Sequence, residues 1–489
     1  MNAPLRKVAV AALALFGLLF LNVNYVQFVR ADELRENQYN RRVVFERYGR
    51  ARGEIIAGDK AVVTNRKTDG EYKFQRVYVD GPLYASITGY YSLYRGRAGI
   101  ESKFDQILSG EDDSLFVARV SDLVTGREPQ GANVKLTIRP DLQELAAKLL
   151  AGRRGSVVAM DPKTGAILAM VNLPSYDPEP IASVVKKESD AGYQAALDAP
   201  GKPLVSKASA ETYPPGSVFK VITAAAYFEQ LRKTPTDLVP SPKELPLPLT
   251  KDVVLRNFGN ATCGADQITV ERALEISCNT AFANMGLDIG GDGLRATAEA
   301  FGFNEPVESL PFQTNRSRFP SGINAPQLAQ SAIGQFDVRA TPLQMASVAA
   351  TIANGGIVMR PYVVDSIITS DLRTVRKTEP ERLRKQPAVS PQTAVYLNQM
   401  MRTVVRTGSG VRAQVPGVEV AGKTGTAQNV QDQPPHAWFI GFAPADDPQI
   451  AIAVFIEGGD GGSAEATGGR VAAPVAQAII AAALKGPAR

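Results

Sequence analysis

Histidine is almost absent: His436 is the single one in 489 residues. A Ser-His-Asp nucleophile would have to use it, and a metal site built from several histidines is excluded. A serine nucleophile placed elsewhere needs another base, and lysine is the economical choice. Dense Lys/Arg blocks with interleaved aromatics are missing too, and a net charge of +5 is mild for this length, so nothing supports a nucleic-acid partner. Internal repeats are absent. What is present is ample apolar content, 44% of residues, enough to bury a large core in more than one globular domain.

After Arg6 and Lys7 the chain runs from Val8 to Val29 without a charge, long enough to cross a bilayer as a helix. The two basic residues and the terminal amine place the N-terminus in the cytoplasm and everything after Arg30 outside. The alternative, a cleaved signal peptide, fits less well, because the run is long and its Ala-x-Ala triplets lie inside it. With that topology the two cysteines, Cys263 and Cys278, lie in an oxidising compartment. An even count allows one intramolecular bridge; two reduced thiols are the alternative. Closing so short a loop would contribute roughly 3 kcal/mol by chain entropy.

Three regions follow: 1–30 as cytoplasmic tip and anchor, 31–152 as a polar, weakly patterned domain, and 153–489 as the main domain. The second region carries short β-branched runs such as Ala61-Val-Val-Thr64 and a Gly- and Tyr-rich segment from Gly81 to Gly99, so short strands and turns are expected. Asp141 to Leu150 reads as an amphipathic helix after Pro140. The main region opens with a hairpin, Ser156–Asp161 and Ala166–Asn172, turning at Pro162-Lys-Thr-Gly165. Helical patterns fill most of the chain to about 360, broken by a Pro-rich loop from Thr234 to Thr250. Strands return at Val418–Gln428, Trp438–Ala443 and Ile450–Glu457. Strands at both ends with helices between them predict an α+β domain whose antiparallel sheet joins distant sequence.

The centre of this pattern is Glu211-Thr-Tyr-Pro-Pro-Gly-Ser-Val-Phe-Lys220. Two prolines and a glycine forbid helix up to Gly216, and the apolar run after Ser217 supplies about four turns, so Ser217 sits near a helix N-terminus. Spacing of three places Lys220 on the same face, within plausible hydrogen-bond reach, and the positive end of the helix dipole disfavours a charge on its amine. A partly neutral Lys220 could then deprotonate Ser217; the plain alternative is a capping serine beside a surface lysine. Two more short motifs occur in order. Ser277-Cys278-Asn279 falls between two helical runs, and Lys423-Thr424-Gly425-Thr426 lies in a strand where the glycine would let a ligand backbone approach. Two decoys exist: Ser183-Val-Val-Lys186 lacks an apolar face and is expected to be a solvated helix or loop, and Lys163-Thr164-Gly165 is a hairpin turn ahead of the helix.

Ser-x-x-Lys, Ser-x-Asn and Lys-Thr-Gly in this order resemble the signature of the penicillin-recognising serine transferases and hydrolases. Gly155 to Met170, Pro174 to Pro178, Thr341 to Ala346, Ala353 to Gly356 and Ala437 to Ala443 extend the likeness to a class B penicillin-binding protein, with weaker landmarks at Arg52–Ile55 and Gly99–Glu101. Most similar is the actinobacterial penicillin-binding protein A subgroup. The resemblance implies a monofunctional peptidoglycan D,D-transpeptidase: a serine β-lactamase-like domain, a smaller N-terminal pedestal of the dimerisation type, and a single-pass anchor in the cytoplasmic membrane. It implies no cofactor or metal, peptidoglycan stem peptides as substrates, β-lactams as covalent inhibitors and a membrane glycan polymerase as partner, in division or elongation. By resemblance Ser217 is the nucleophile, Lys220 its base, Ser277 a proton relay and Asn279 a peptide holder. Lys423, Thr424 and Thr426 grip the terminal carboxylate, and the backbone N–H groups of Ser217 and Thr426 form the oxyanion hole. Two departures stand out: Cys278 is an uncommon middle residue, and Phe336 in Gly334-Gln335-Phe336 replaces a usual glycine. A β-lactamase of the same fold usually carries Glu-x-x-Leu-Asn, which this chain lacks. A sensor or a scaffold remains a rival of another class, but the three intact motifs speak against loss of catalysis.

Overall fold

A computed structural model describes residues 2–35, 47–116, 119, 125–126, 130–428, 434–459 and 467–486. The helix Asn2–Asn24 continues as a wider turn through Tyr25–Val29, and Pro4–Val29 is long and apolar enough to cross a membrane. At 1.5 Å per residue that segment is about 39 Å long, against about 30 Å of hydrocarbon.

The main domain is organised by a five-stranded antiparallel sheet in the order Ala421–Ala427, His436–Ala443, Ile450–Ile456, Gly155–Met160, Ile167–Leu173. Successive side chains of a strand point to opposite faces. Here both faces are covered. Trp438, Ile440, Phe442, Ala453 and Phe455 join a core with the helices Lys220–Leu231 and Pro342–Ala353. Phe439, Ile452 and Val454 join another with the helices Pro140–Leu150 and Ala473–Leu484. A sheet buried on both sides needs no polar alternation, which is why Ile450–Ile456 reads as an unbroken apolar run. The hairpin, the three C-terminal strands and the long helices agree with the sequence reading to within a few residues at their ends.

The smaller domain differs from its expectation in two respects. The first half of its Gly- and Tyr-rich stretch forms a helix, Gly81–Thr88, with Pro82 in the first turn and Tyr84, Ala85 and Ile87 buried, whereas the second half forms the expected short strands, Tyr91–Ser92 and Gly96–Arg97; proline at a helix start is favourable, and tertiary burial overrides weak propensity. Its six-stranded sheet runs Thr374–Lys377, Val364–Ile368, Asn133–Leu136, Ile55–Ala57, Lys60–Lys67, Phe74–Tyr78. The first two strands come from far along the chain, after the helix Pro342–Ala353, so the two domains share a sheet.

A buried charge cluster holds the smaller domain together. Glu101 is fully buried and receives Arg52 Nε at 2.7 Å and Arg76 Nε at 2.6 Å. Arg52 also meets Asp105 at 2.8 Å and lies 4.1 Å over the Tyr91 ring. Burial alone would raise the Glu101 carboxyl, but Arg76 and Arg52 hold it below the ordinary value. Removing one partner of such a cluster strands the others in a dry interior. Glu101→Gln is therefore expected to destabilise this domain by about 3 kcal/mol, read as an earlier thermal transition of the full-length chain in detergent; an unchanged transition would show that the cluster contributes little.

Candidate active site

Ser217 is presented by a turn clamped from three sides. The Tyr213 and Ala340 backbones exchange hydrogen bonds of 2.9 and 2.8 Å, Gly216 N–H donates to Gly334 O at 2.9 Å, and the Trp438 indole donates to Pro214 O at 3.1 Å. Two glycines are required for this fit. Gly216 has φ +55°, and a Cβ on Gly334, φ +73°, would stand 2.2 Å from Gly216 O. The turn Gly216–Phe219 then feeds the helix Lys220–Leu231, leaving Ser217 partly exposed while Val218, Phe219 and Lys220 are buried.

Ser277 owes its position to a helix ending. The helix Val270–Glu275 closes with Cys278 N–H on Ala273 O at 2.9 Å and Ser277 N–H on Leu274 O at 3.2 Å. These are the two bonds of a Schellman cap, and Ser277 takes its left-handed position at φ +62°. That place usually goes to glycine, and a serine there is strained by about 1 kcal/mol. The next helix, Asn279–Ile289, begins at once, and its first amides are capped by Asn257 Oδ1, 2.7 Å from Asn279 N and 3.3 Å from Thr280 N. Asn279 Nδ2 donates to Arg256 O at 3.0 Å, which aims its Oδ1 at Lys220. Cys263 and Cys278 form a disulfide, tying this junction to the loop that carries Asn257.

Two fully buried lysines converge on Ser277. Lys220 Nζ lies 2.8 Å from Ser277 O, 3.2 Å from Ser277 Oγ and 2.7 Å from Asn279 Oδ1. Lys423 Nζ donates to Ser277 Oγ at 3.0 Å and to Thr424 O at 2.9 Å. Burial, and then the neighbouring Lys423, push Lys220 well below the ordinary lysine value. Burial lowers Lys423 to about 7. No carboxylate is paired with either amine among the described residues.

Ser217, Lys220, Ser277, Asn279 and Lys423 to Thr426 are thus gathered at one edge of the sheet, with three differences from the sequence reading. Lys220 bonds Ser277 and Asn279, whereas Ser217 Oγ makes no hydrogen bond among the described residues. The lysine's hold on its proton is weakened chiefly by burial, because its side chain runs into the core beneath the helix start. Gly425 makes room for the protein itself: a Cβ there would meet Val218 Cγ1 at 3.0 Å and Pro215 O at 3.1 Å. The decoys fall away. Ser183 is buried, not solvated as expected, but bonds Glu188 at 2.6 Å while Lys186 points to solvent and pairs with Asp190. Lys163 sits in the hairpin turn against Asp447. Sequence reasoning missed Asn257 and Ser409, whose Oγ lies 2.6 Å from Thr424 Oγ1. Flanking glycines, Gly408-Ser409-Gly410, were the available signal for the second; an asparagine in an irregular polar loop offers none.

This edge-strand arrangement, with a serine at a helix head and two buried lysines gathered beside it, defines a penicillin-recognising acyltransferase fold, and the chain belongs to the penicillin-binding protein transpeptidase family. The penicillin binding protein transpeptidase domain matches residues 155–481 and the penicillin binding protein A dimerisation domain residues 52–134. Within that family the chain is similar to the peptidoglycan D,D-transpeptidase PbpA of Mycolicibacterium smegmatis, 44% identical over 99% of both chains. Its counterpart in Mycobacterium tuberculosis is 42% identical over 99% of this chain and all of that one. Among solved structures, the ceftriaxone acyl-enzyme of M. tuberculosis penicillin-binding protein A superposes with a TM-score of 0.86 at 41% identity, over 90% of this chain and 100% of that one. The penicillin G acyl-enzyme gives 0.84 at 42% identity, over 89% and 100%.

The disulfide yields a direct test. Alkylation of the native protein without reductant is expected to leave Cys263 and Cys278 unmodified, and reduction is expected to slow acylation by penicillin several-fold as the Asn257 cap loosens. Full alkylation of both thiols in the unreduced protein would contradict the bridge, and an unaltered rate after verified reduction would contradict its role.

Proposed function

We propose that Ser217 is the nucleophile with which this peptidoglycan D,D-transpeptidase cross-links stem peptides, and the atom that β-lactams acylate. The observation that carries the assignment is the bonding of Lys220. A neutral amine has two protons, and the two shortest contacts, to Ser277 O and Asn279 Oδ1, are to oxygens that can only accept. Its lone pair is left for a hydroxyl: Ser277 Oγ stands 3.2 Å away, and Ser217 Oγ, with no hydrogen bond of its own among the described residues, reaches it as substrate is attacked. Ser217 Oγ, three residues away, passes its proton there as it attacks the D-Ala-D-Ala carbonyl.

Ser277 Oγ accepts from Lys423, so its own proton is free to reach the leaving nitrogen. D-Alanine departs, and an amine of a neighbouring strand takes the acyl group. Asn279, already oriented by Arg256 O, holds the peptide amide, and the backbone N–H groups of Ser217 and Thr426 stabilise the developing oxyanion. Lys423, Thr424 and Thr426 grip the terminal carboxylate, with Gly425 packing the strand against the nucleophile turn. Capture of the M. tuberculosis relative as ceftriaxone and penicillin G acyl-enzymes supports the same chemistry here.

The reading extends to the cell. Arg6 and Lys7 keep the N-terminus in the cytoplasm, the helix Pro4–Val29 anchors the chain, and the catalytic domain works outside beside a membrane glycan polymerase. The division into 1–30, 31–152 and 153–489 is supported by the two domain matches, with residues 364–377 lending strands to the pedestal.

Hydrolysis of the acyl-enzyme needs a base for water. His436 cannot serve: it is 2% exposed, its Nδ1 already accepts Gly458 N–H at 3.1 Å, and burial lowers it to about 4. The penicilloyl adduct is therefore expected to persist for hours by intact-mass spectrometry, on a peptide containing Ser217. Ser217→Ala abolishes labelling and Ser183→Ala does not; rapid adduct loss with steady penicillin hydrolysis would move the protein to the β-lactamases.

The pH dependence has a defined sign. Lys423 is charged below about 7 and loses its proton above it, so the grip on a carboxylate weakens as pH rises. The second-order acylation constant, which reports the free enzyme, is expected to fall above that value by up to about tenfold per pH unit. A constant that stays level to pH 9 would remove Lys423 from carboxylate binding.

A further inference from the structure

Away from the cleft, a cavity of about 460 Å³ opens at the end of the central sheet where the strand Gly155–Met160 begins and Ile450–Ile456 ends. Arg154, Lys202, Lys207, Glu211, Tyr213 and Glu457 line it; Ser217, Lys220, Ser277, Asn279 and Lys423 to Thr426 do not. Tyr213 lies four positions before Ser217, so the two sites are within about 14 Å along the chain.

The cavity wall is charged with both signs and is incompletely paired. Lys207, 2% exposed, holds Glu211 Oε2 at 2.8 Å and lies 3.5 Å from Glu457 Oε2. Tyr213 Oη donates to the same Glu211 oxygen, and Arg154 takes Glu457 Oε1 at 3.0 Å. What remains is complementary. Glu457 Oε2 is buried and faces only Lys207, out of a ligand's reach, whereas Glu211, a quarter exposed, leaves its Oε1 with no hydrogen bond among the described residues. Lys202 stands exposed at the rim with no hydrogen bond or ion pair among the described residues, its backbone held at φ +52°. Three cations and two carboxylates leave one positive charge over.

A salt-bridge cluster serving stability alone would close on itself; this one surrounds space in the range of small-molecule sites. A ligand that satisfies it presents an ammonium to Glu211 Oε1 and a carboxylate to Lys202, whose charge already acts on Glu211. We propose that the cavity is a second binding site, for an α-amino-acid zwitterion bearing a free ammonium and a carboxylate on one carbon. Two sources of that group meet this enzyme, given the transpeptidase reading on which the inference rests: the D-alanine expelled at Ser217, and an amino-acid end of a neighbouring stem peptide tethered through its side chain.

The test uses the full-length chain in detergent, first acylated with penicillin G so that the cleft is filled. Complete mass conversion at Ser217 checks the transpeptidase assignment separately and shows that each variant is folded. Calorimetric titration then compares D-alanine with Nε-acetyl-D-lysine, the tethered form, and with propanoate and ethylamine, which each carry one charge. Saturable binding of a zwitterion at least about tenfold tighter than either single-charge probe is expected, and the tighter of the two zwitterions identifies the source. Lys202→Ala and Glu211→Gln should each weaken it about tenfold, and Lys163→Ala, on the hairpin turn, should not. Absence of saturable binding by both zwitterions, equal binding of the single-charge probes, or undiminished affinity in Lys202→Ala would each overturn the proposal.

Discussion

Two buried lysine amines share one serine hydroxyl, and much of the site exists to hold that arrangement. Lys220 and Lys423 are both fully buried, with Ser277 Oγ 3.2 and 3.0 Å from them. Burying a single charge without a carboxylate partner costs several kcal/mol, so burial lowers the proton affinity of both amines. Neutrality is the useful state for Lys220 in the proposed reaction, and residual charge is the useful state for Lys423. The same burial acts on both, but Lys220 also feels Lys423, which separates the two lysines.

The surroundings are arranged to keep Ser277 at that point. A serine in the left-handed position of a helix cap would be relieved by any relaxation of the turn. Asn257 caps the following helix, the Cys263–Cys278 bridge fastens the loop that carries Asn257, and Ser409 N–H bonds Glu275 O at 3.2 Å while its hydroxyl reaches Thr424. The helix end bearing Ser277 and the strand bearing Lys423 are thus joined through one residue. On the other side, Gly425 carries no side chain because Val218 and Pro215 of the nucleophile turn crowd it, and Gly468 carries none because the backbones of Trp438 and Gly425 do. The cleft is rigid by close packing, and the few glycines mark where backbones touch.

The pedestal depends on a different principle. Its interior is organised around Glu101 and two arginines, a cluster of paired charges in which Arg76 Nη2 is left without a hydrogen bond. It also borrows the strands Val364–Ile368 and Thr374–Lys377 from the far side of the main domain's helices. Truncation of the chain at residue 152 would remove those strands, so the smaller domain is not separable by a single cut.

Sequence alone determined the elements whose cause is local. Proline, glycine and an apolar run sufficed for the helix start at Ser217, and strand composition sufficed for both ends of the central sheet. The order of three short motifs pointed to the chemistry, and the even cysteine count pointed to the bridge. Contacts between distant residues were illegible. Nothing in the spacing of Ser217 and Lys220 reveals that the lysine turns to Ser277 and Asn279, since that follows from a helix cap 57 residues later. Gly425 looked like space for a ligand and is space for Val218. Gly81–Thr88 is helical because Tyr84 and Ile87 are buried by neighbours its own residues do not name. Tertiary structure decided these because desolvation and packing depend on what lies across the core, a quantity no local window contains.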